Sequence, residues 1–335
     1  MRKISMLFLV LSISVGTWAQ DINDLIKGSL QDANKLVDGY TQPVLKAFGY
    51  GLNQGWYNTA KPHKTLGIDL TISASAVYIP NSDLFYKVDN NQLSQVELQS
   101  VGGVPIDNSG IGNVPTIFGP DVIPQYYSSS SGSSFDGPGG VDLKKELGIQ
   151  AMPVPIANLG IGLPKGFDLK FRFVPTLQIG DDAEFGLFGV GVMHDVKQYI
   201  PGIKNLPFDL SAFVGYTKMK LTTELDVQSG NNQRATFESA ATTIQGLISK
   251  KISVLTFYGG VGYNVANSKI ALLGDYDLNE DGYMDVTDPL RLKADANGFR
   301  TTVGMRLKLA VFTFHGDYTV QKYNTLTVGF GINVR

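Results

Sequence analysis

The C-terminal end of the chain alternates between apolar and polar side chains. Apolar side chains occupy nearly every second position from Phe312 to Val320, and the pattern resumes from Leu326 to Val334 after a short break at 322–324. A period of two is the pattern of a β-strand with one apolar and one polar face. Because so few residues separate the two strands, the sequence predicts an antiparallel hairpin.

The same alternation recurs along most of the chain. Residues 66–78 show it cleanly, with Leu70 and Ile72 on one face and Asp69 and Thr71 on the other. Further candidate strands are 84–100 and 149–163, both weaker, then 167–179, 184–197, 207–227, 234–249, 252–266 and 298–309. With the hairpin this makes about eleven strands, whereas single-chain bacterial barrels have an even number. We expect the missing strand within the long, proline-punctuated segment 101–147.

One candidate strand changes the phase of its pattern. In 207–227 the apolar positions run from Phe208 to Tyr216 at even numbers and then shift to Met219 and Leu221 at odd numbers. Either a β-bulge or a rim that projects beyond a membrane would explain the shift.

The N-terminal segments differ from the rest. Arg2 and Lys3 precede an apolar run, and the small residue Ala19 follows it, which predicts a signal peptide over 1–19. An amphipathic helix should begin at the N-cap Asp21 and be broken or restarted at Pro43. This helix could cap one end of a sheet or plug a barrel. The predicted organisation is signal peptide 1–19, helical plug and linker 20–64, and β-barrel 65–335.

Composition removes several classes of protein. The 335 residues are 43% hydrophobic and 17% charged, with a net charge of −2 and no cysteine. After residue 20 no apolar run is long enough for a membrane-spanning helix. The weak net charge gives no support for a nucleic-acid partner, and the lack of cysteine excludes disulfides and a lipoprotein anchor.

Charge is confined to one face of the candidate strands. The polar sets hold Lys170, Arg172, Lys220, Glu224, Asp226, Arg300, Arg306, Lys308, His315 and Asp317, whereas the apolar sets hold almost no charge. A charge facing lipid at the bilayer midplane costs roughly 2–4 kcal/mol, so a bilayer would select this exclusion. The sequence therefore predicts an all-β fold, an antiparallel transmembrane β-barrel of about 10–14 strands with a short N-terminal helical plug. The competing class is a secreted β-sandwich or adhesin-like binding protein.

The order of segments carries a resemblance. Signal peptide, amphipathic helix, a linker over 49–64 rich in glycine and aromatic residues, and strands to the end of the chain resemble outer-membrane β-barrel proteins with an N-terminal helical plug. The nearest resemblance is to an uncharacterised family of that build, and a more distant one is to FadL-type transporters of hydrophobic compounds. The chain departs from the usual barrel ending because it closes on Arg335 rather than an aromatic residue.

The resemblance implies a place in the outer membrane of a Gram-negative cell, with membrane lipid and a small solute as partners. The function we favour from sequence is passive uptake or permeation of small apolar or amphipathic solutes through the plugged lumen. The alternative is a secreted or surface β-sheet protein that binds or supports without transport. If the C-terminus faces the periplasm, the segments 101–147, 228–233 and 267–297 lie outside the cell.

Enzymatic chemistry finds little support. The histidines His63, His194 and His315 lack the spacing that places two metal ligands on one face. His315 and Asp317 share a strand face and could form a dyad, but a polar pair lining a lumen is the simpler interpretation. We predict no catalytic residue and no enzyme activity.

One acidic loop has the spacing of a calcium site. Asp277, Asn279 and Asp281 match positions one, three and five, Gly282 the turn, Tyr283 the carbonyl, Asp285 position nine and Asp288 position twelve. The spacing resembles the dockerin-type variant of the EF-hand loop, although flanking helices are not evident. A solvent-exposed turn is the alternative. We predict a structural Ca²⁺, which outside the cell could fill even a site of about 10⁻⁴–10⁻³ M.

Overall fold

The structure is a computed structural model that describes residues 29–180, 183–225, 233–277 and 283–334. The predicted signal peptide and the predicted helix start at Asp21 lie outside these residues. Within them, helix α1 covers Leu30–Leu52 and helix α2 covers Leu143–Leu147, with short 3-10 turns at Asn81–Asp83, Asn90–Gln92, Pro164–Gly166 and Lys197–Tyr199. None of these helices combines the length and apolarity that a membrane crossing needs.

Strands make up most of the described chain. They are β1 (Ile68–Tyr78), β2 (Phe85–Asp89), β3 (Val96–Val101), β4 (Val104–Pro105), β5 (Ile111–Pro115), β6 (Pro124–Ser128), β7 (Ser133–Asp136), β8 (Ala151–Leu163), β9 (Phe167–Ile179), β10 (Ala183–Asp195), β11 (Asp209–Glu224), β12 (Arg234–Ile252), β13 (Leu255–Leu273), β14 (Asp275–Tyr276), β15 (Val286–Thr287), β16 (Leu290–Asp295), β17 (Gly298–Leu309), β18 (Phe312–Val320) and β19 (Thr325–Val334).

Ten strands form a closed ring of antiparallel pairs. The order is β1, β8, β9, β10, β11, β12, β13, β17, β18 and β19, and β19 returns to β1 from Ile68↔Val334 to Val77↔Thr325. Closure leaves no unpaired edge along the ring. This confirms the predicted antiparallel barrel, and the strand number lies at the lower limit of the predicted range.

The two ends of the barrel differ. One end, the terminal rim, holds the start of β1, the end of β19 and the turns at 164–166, 253–254 and 310–311. The other end, the distal rim, holds the long connections 79–150 and 274–289. Long connections at one end and mostly short turns at the other are typical of outer-membrane barrels, whose long loops face outside.

Burial along the ring strands is inverted relative to a water-soluble protein. On β1, the apolar Leu70 and Ile72 are exposed, whereas Asp69, Thr71 and Ser73 are buried. The lumen therefore holds the polar side chains, and the exposed apolar side chains form a belt around the barrel. Such a belt would be unfavourable in water and matches the hydrocarbon layer of a bilayer. The predicted transmembrane barrel is confirmed.

Strand β11 explains the phase shift in its sequence. Its pairing with β12 runs without interruption from Asp209↔Ser249 to Glu224↔Arg234, so no bulge is present there. Beyond Tyr216 the outward positions become Lys218 and Lys220, because the strand projects past the apolar belt. Two residues predicted for the lumen, Lys220 and Glu224, are consequently exposed on the outer side, and Asp226 lies outside the described residues.

Helix α1 enters the ring from the distal rim. Its C-terminal half packs against apolar side chains of strands around the ring, which are Val77, Val154, Leu187, Met219, Ala241 and Ala266. The approach is close, since a Cβ on Gly49 would lie 2.7 Å from the Ala296 Cβ. The helix is therefore a plug. It continues through Pro43, where we expected a break, because packing on both sides of the proline holds it.

Residues 79–150 form a small unit on the distal rim, which we call the distal module. It contains a two-stranded sheet (β2, β5) and a four-stranded sheet in the order β4, β3, β6, β7. Its Val88, Leu98 and Tyr126 pack on Leu36 and Val37 of α1. The expectation of wall strands at 84–100 and within 101–147 is wrong. These short strands do not extend the ring but cover the N-terminal half of α1.

Candidate functional site in the plugged lumen

The chain beyond α1 completes the plug. Residues 53–63, the lumen segment, run from the helix end to the terminal rim. Tyr57 Oη donates to Gln245 Oε1 at 2.6 Å, and the Ala60 amide donates to Ser249 Oγ at 3.1 Å. At the rim, His63 Nδ1 lies 2.8 Å from Asp168 Oδ2. We use plug for residues 29–63 together.

Two buried arginines of the wall hold the junction between helix and lumen segment. Arg172 of β9 donates to the Leu52 carbonyl at 2.6 Å, to the Gln54 carbonyl, and to Asn158 Oδ1 at 2.6 Å. Arg300 of β17 donates to the Asn53 carbonyl at 2.8 Å and to Gln54 Oε1 at 2.8 Å. We call this set the arginine clamp.

The clamp has an electrostatic reason. The last carbonyls of a helix lack partners in the helix and carry partial negative charge. Within the described ranges neither arginine forms an ion pair with a carboxylate, so neutral oxygens of the plug and the wall are the acceptors of Arg172. The Arg172 guanidinium also lies 3.5 Å from the centre of the Trp56 ring, a cation–π contact. Removing the plug would leave each guanidinium only its acceptors in the wall, Asn158 and Thr217 for Arg172, and Thr302 and Thr319 for Arg300.

Aromatic rings close the lumen beneath the clamp. Trp56 and Tyr57 pack with Phe213 and Tyr258, at ring-centroid separations of 5.5–6.1 Å. The wall gives room for Trp56 through Gly215, where a Cβ would lie 2.7 Å from the indole. Trp56, Tyr57, Phe213 and Tyr258 are all buried in one cluster, so the packed rings close the lumen at this height.

A polar cluster surrounds the end of the plug at the terminal rim. His63 bridges Asp168 and Asn333, and Lys170 lies 3.5 Å from Asp168. Buried atoms of neighbouring wall residues find no hydrogen-bond partner in the described protein, namely Asp69 Oδ1, Asp168 Oδ1, Arg306 Nε, Thr313 Oγ1 and both ring nitrogens of His315. Buried donors and acceptors of this kind usually bind water, so we expect ordered water molecules at this end of the lumen.

The residues singled out from sequence are not assembled into a catalytic site. Asp317 Oδ2 accepts from Tyr258 Oη at 2.8 Å, and His315 makes no hydrogen bond to it. His194 stacks on Phe167 and pairs with Tyr199, away from the lumen. The prediction that the chain is not an enzyme stays a prediction. The clamp was not predicted, because Arg172 and its acceptors on the plug are about 120 residues apart.

One buried carboxylate of the plug holds a turn of the distal module through several hydrogen bonds. Asp32 is fully buried and accepts from the backbone amides of Ser94, Gln95 and Val96 at 2.8–3.1 Å, and from the Ser94 hydroxyl at 3.1 Å. Burial raises the pKa of the carboxyl, but these hydrogen bonds outweigh it and lower the pKa below 3.8. Since the folded pKa is depressed, this stabilisation is present above pH 3.8 and is lost as pH falls through the lowered value.

We expect Asp32→Ala to loosen the module. Three amides lose a charged acceptor, which costs about 2 kcal/mol locally and speeds amide hydrogen exchange at residues 94–96 about 30-fold. Hydrogen-exchange mass spectrometry measures this directly. Asp89→Ala is the matched control, because Asp89 caps a turn inside the module without touching the plug. Equal exchange in the complete chain and the Asp32 variant would contradict the attachment.

The predicted calcium loop, 277–288, follows β14 at the distal rim and ends one residue beyond its partner strand β15. Asn279, Asp281 and Gly282 lie outside the described residues. Asp277 is buried, and Tyr283 and Asp285 are exposed. The Asp288 carboxylate accepts from the Gly274 amide at 3.0 Å and from Arg291 at 2.6 Å. In the described part of the chain no three potential ligands are grouped for a metal, and the calcium site stays a prediction.

We expect calorimetric titration with Ca²⁺ to give binding heat that the Asp277→Ala, Asp281→Ala double variant loses. The reason is that two of the hard oxygen ligands of the loop would be absent. Asp89→Ala with Asp107→Ala is the control, since it removes two loop carboxylates of the distal module. Equal heats for all three proteins, or no heat for any, would exclude the site.

Comparison with known proteins finds a family model and several solved structures that are similar to this chain. A family model described as "Family of unknown function (DUF6588)" matches residues 1–334. Among solved structures, Ail of Yersinia pestis is similar at 8% identity over 81% of this chain and 98% of that chain, with a TM-score of 0.27. The translocator domain of the autotransporter NalP from Neisseria meningitidis is 9% identical over 87% of this chain and 93% of that chain, with a TM-score of 0.28. The outer-membrane protease OmpT of Escherichia coli is 8% identical over 80% of this chain and 92% of that chain, with a TM-score of 0.27. No curated protein matches.

Proposed function

We propose that this chain, which belongs to the family of unknown function DUF6588, is an outer-membrane pore gated by its own N-terminal plug. The plug closes the lumen at rest, and its displacement opens a path for small solutes. The proposal keeps the passive permeation predicted from sequence and adds the element that controls it.

One observation carries the proposal: the ring of strands closes without any contribution from the plug. Every ring strand pairs with two ring neighbours, and the plug contributes no strand to the wall. Its attachments to the wall involve side chains, such as those of the arginine clamp. A plug held in this way can move without breaking the barrel, whereas a strand of the wall could not.

The lining of the lumen favours one class of solute. Once the plug moves, the wall presents hydroxyl and amide groups at mid-height, including Ser73, Asn158, Thr217, Thr243 and Thr319. The charged cluster at the terminal rim follows along the path. We propose small polar or amphipathic solutes, because purely apolar solutes would have to pass groups that are better solvated by water. The distant similarity to FadL-type transporters stays a prediction.

A binding or structural barrel without transport is the second candidate. The distal module favours it, because an ordered unit of this size on the outward rim offers a surface for a partner. The two functions differ in whether the plug ever leaves the lumen. Conductance across planar bilayers, compared between the complete chain and chains shortened at the plug, separates them. A closed lumen after plug removal would support the second candidate.

A further inference from the structure

The outer surface of the barrel carries a row of lysines immediately beyond the apolar belt. Cross-strand pairing places Lys220 of β11 opposite Glu238 of β12, Glu238 opposite Lys269 of β13, and Lys269 opposite Lys293 of β16. The three lysines are exposed. Lys218 lies two residues nearer to the belt on the same face of β11 and is also exposed.

Two of these lysines face each other without an intervening acid. Lys269 and Lys293 are direct partners on neighbouring strands, an arrangement in which like charges repel. Within the described ranges neither one forms an ion pair, whereas Lys220 lies 3.6 Å from Glu238. Asp295, which shares the outer face of β16 with Lys293, accepts from Asn267 instead. The further exposed carboxylates of this face lie on β10 and β11, where Glu184 is diagonal to Lys220. The positive charge of this face is therefore concentrated at the facing pair Lys269 and Lys293.

The height of the lysines relative to the belt identifies the anion. Tyr216 and Val265 end the apolar positions on β11 and β13, and Lys220 and Lys269 follow four residues later on those strands. Four residues of a tilted strand span about 13 Å along its axis, which reaches from the hydrocarbon edge into the headgroup layer. A lysine stem can also lie along the apolar edge with its ammonium among the headgroups.

We propose that Lys218, Lys220, Lys269 and Lys293 form a binding site for the phosphate groups of an anionic lipid in the leaflet at the distal rim. The occupant is a membrane lipid because the site is continuous with the lipid-facing belt and opens toward the same layer. A phosphate between Lys269 and Lys293 would relieve their repulsion. The site rests on the proposed outer-membrane location, under which the leaflet concerned is the outer one, and it does not depend on movement of the plug.

The test is lipid retention by the purified full-length protein in detergent, measured by native mass spectrometry. The probes are lipid A with its phosphates and the same lipid without them. We expect the complete chain to retain the phosphorylated lipid, and Lys269→Gln with Lys293→Gln to bind it about 30-fold more weakly. Lys250→Gln with Lys251→Gln, an equal change of charge at the terminal rim, should bind as the complete chain does.

The site would be overturned by equal retention in the Lys269, Lys293 variant, by an equal loss in the Lys250, Lys251 control, or by equal retention of the lipid without phosphates. Displacement of the lipid by inorganic phosphate at equal concentration would reassign the lysines to soluble anions and would also overturn it.

Bilayer conductance of the same variants distinguishes this inference from the pore. A chain that retains lipid but never conducts contradicts the pore alone, and one that conducts without retaining lipid contradicts the lysine site alone.

Discussion

Deletion of residues 21–62 is expected to convert the closed barrel into an open pore, whereas deletion of residues 21–48 leaves it largely closed. The shorter deletion removes most of α1 but keeps Leu52, Gln54 and Trp56, the groups that contact the arginine clamp. The longer deletion removes those groups as well. We expect single-pore conductance to rise roughly tenfold or more above that of the complete chain only for the longer deletion, because a barrel this narrow conducts only when its filling is gone.

Planar-bilayer recording of the three proteins provides the measurement. Heat-modifiable gel mobility, the signature of a folded membrane barrel, must be retained for a deletion to count. Where the longer deletion does not fold, the complete chain with Arg172→Gln and Arg300→Gln takes its place, since it weakens the clamp and keeps the plug. Equal conductance of the complete chain and every folded variant would exclude the plug as the barrier.

The wall of the barrel was predictable because its physical constraint is periodic. A strand between lipid and a polar lumen repeats every two residues, and the hairpin β18–β19 shows that repeat without help from other parts of the chain. The phase shift in β11 was visible for the same reason, but the sequence left a β-bulge and a projecting rim as alternatives. Where the strand leaves the bilayer, Met219 turns inward onto the plug and Lys220 outward, so the phase of the sequence reverses.

The predicted number of wall strands was wrong in the distal module, because its strands exist but belong to separate sheets outside the ring. Val96 and Leu98 alternate with polar residues as a wall strand would, yet they pack on Ala33 and Leu36 of the plug. Periodicity reports that a strand has one buried face, but not what covers that face. Only the partners distinguish the two cases, and those of β3 are β4 and β6 rather than ring strands.

The clamp and the Asp32 attachment had no local signal. Arg172 reads as one more polar residue of a lumen-facing set, and its role follows from the helix end that tertiary packing brings to it. Asp32 reads as an exposed residue of an amphipathic helix, but the amides of Ser94, Gln95 and Val96 make it the anchor of the module. Both depend on contacts between segments separated by more than fifty residues, which a single sequence does not reveal.

A reversible covalent lock tests whether the plug moves during opening. Thr59 Oγ1 of the lumen segment lies 3.2 Å from Ser249 Oγ of the wall, so cysteines at both positions have the short reach that a disulfide needs. The chain contains no cysteine that could compete. If voltage opens the pore by displacing the plug, the oxidised Thr59→Cys, Ser249→Cys variant should show no openings in planar bilayers, and a reducing agent should restore them.

The matched control is a second disulfide that leaves the plug free. Ser239 Oγ and Ser268 Oγ lie 2.8 Å apart on the neighbouring wall strands β12 and β13, so Ser239→Cys with Ser268→Cys ties wall to wall. Its openings should be the same when oxidised and when reduced. Openings that persist in the oxidised plug lock would show that solutes pass without plug movement, and a complete chain that never opens at any voltage would show that the plug is a fixed part of the fold. Only silence in the oxidised plug lock, reversed by reduction and absent from the wall control, is consistent with a gate, because the two variants differ in whether the bond crosses from the wall to the plug.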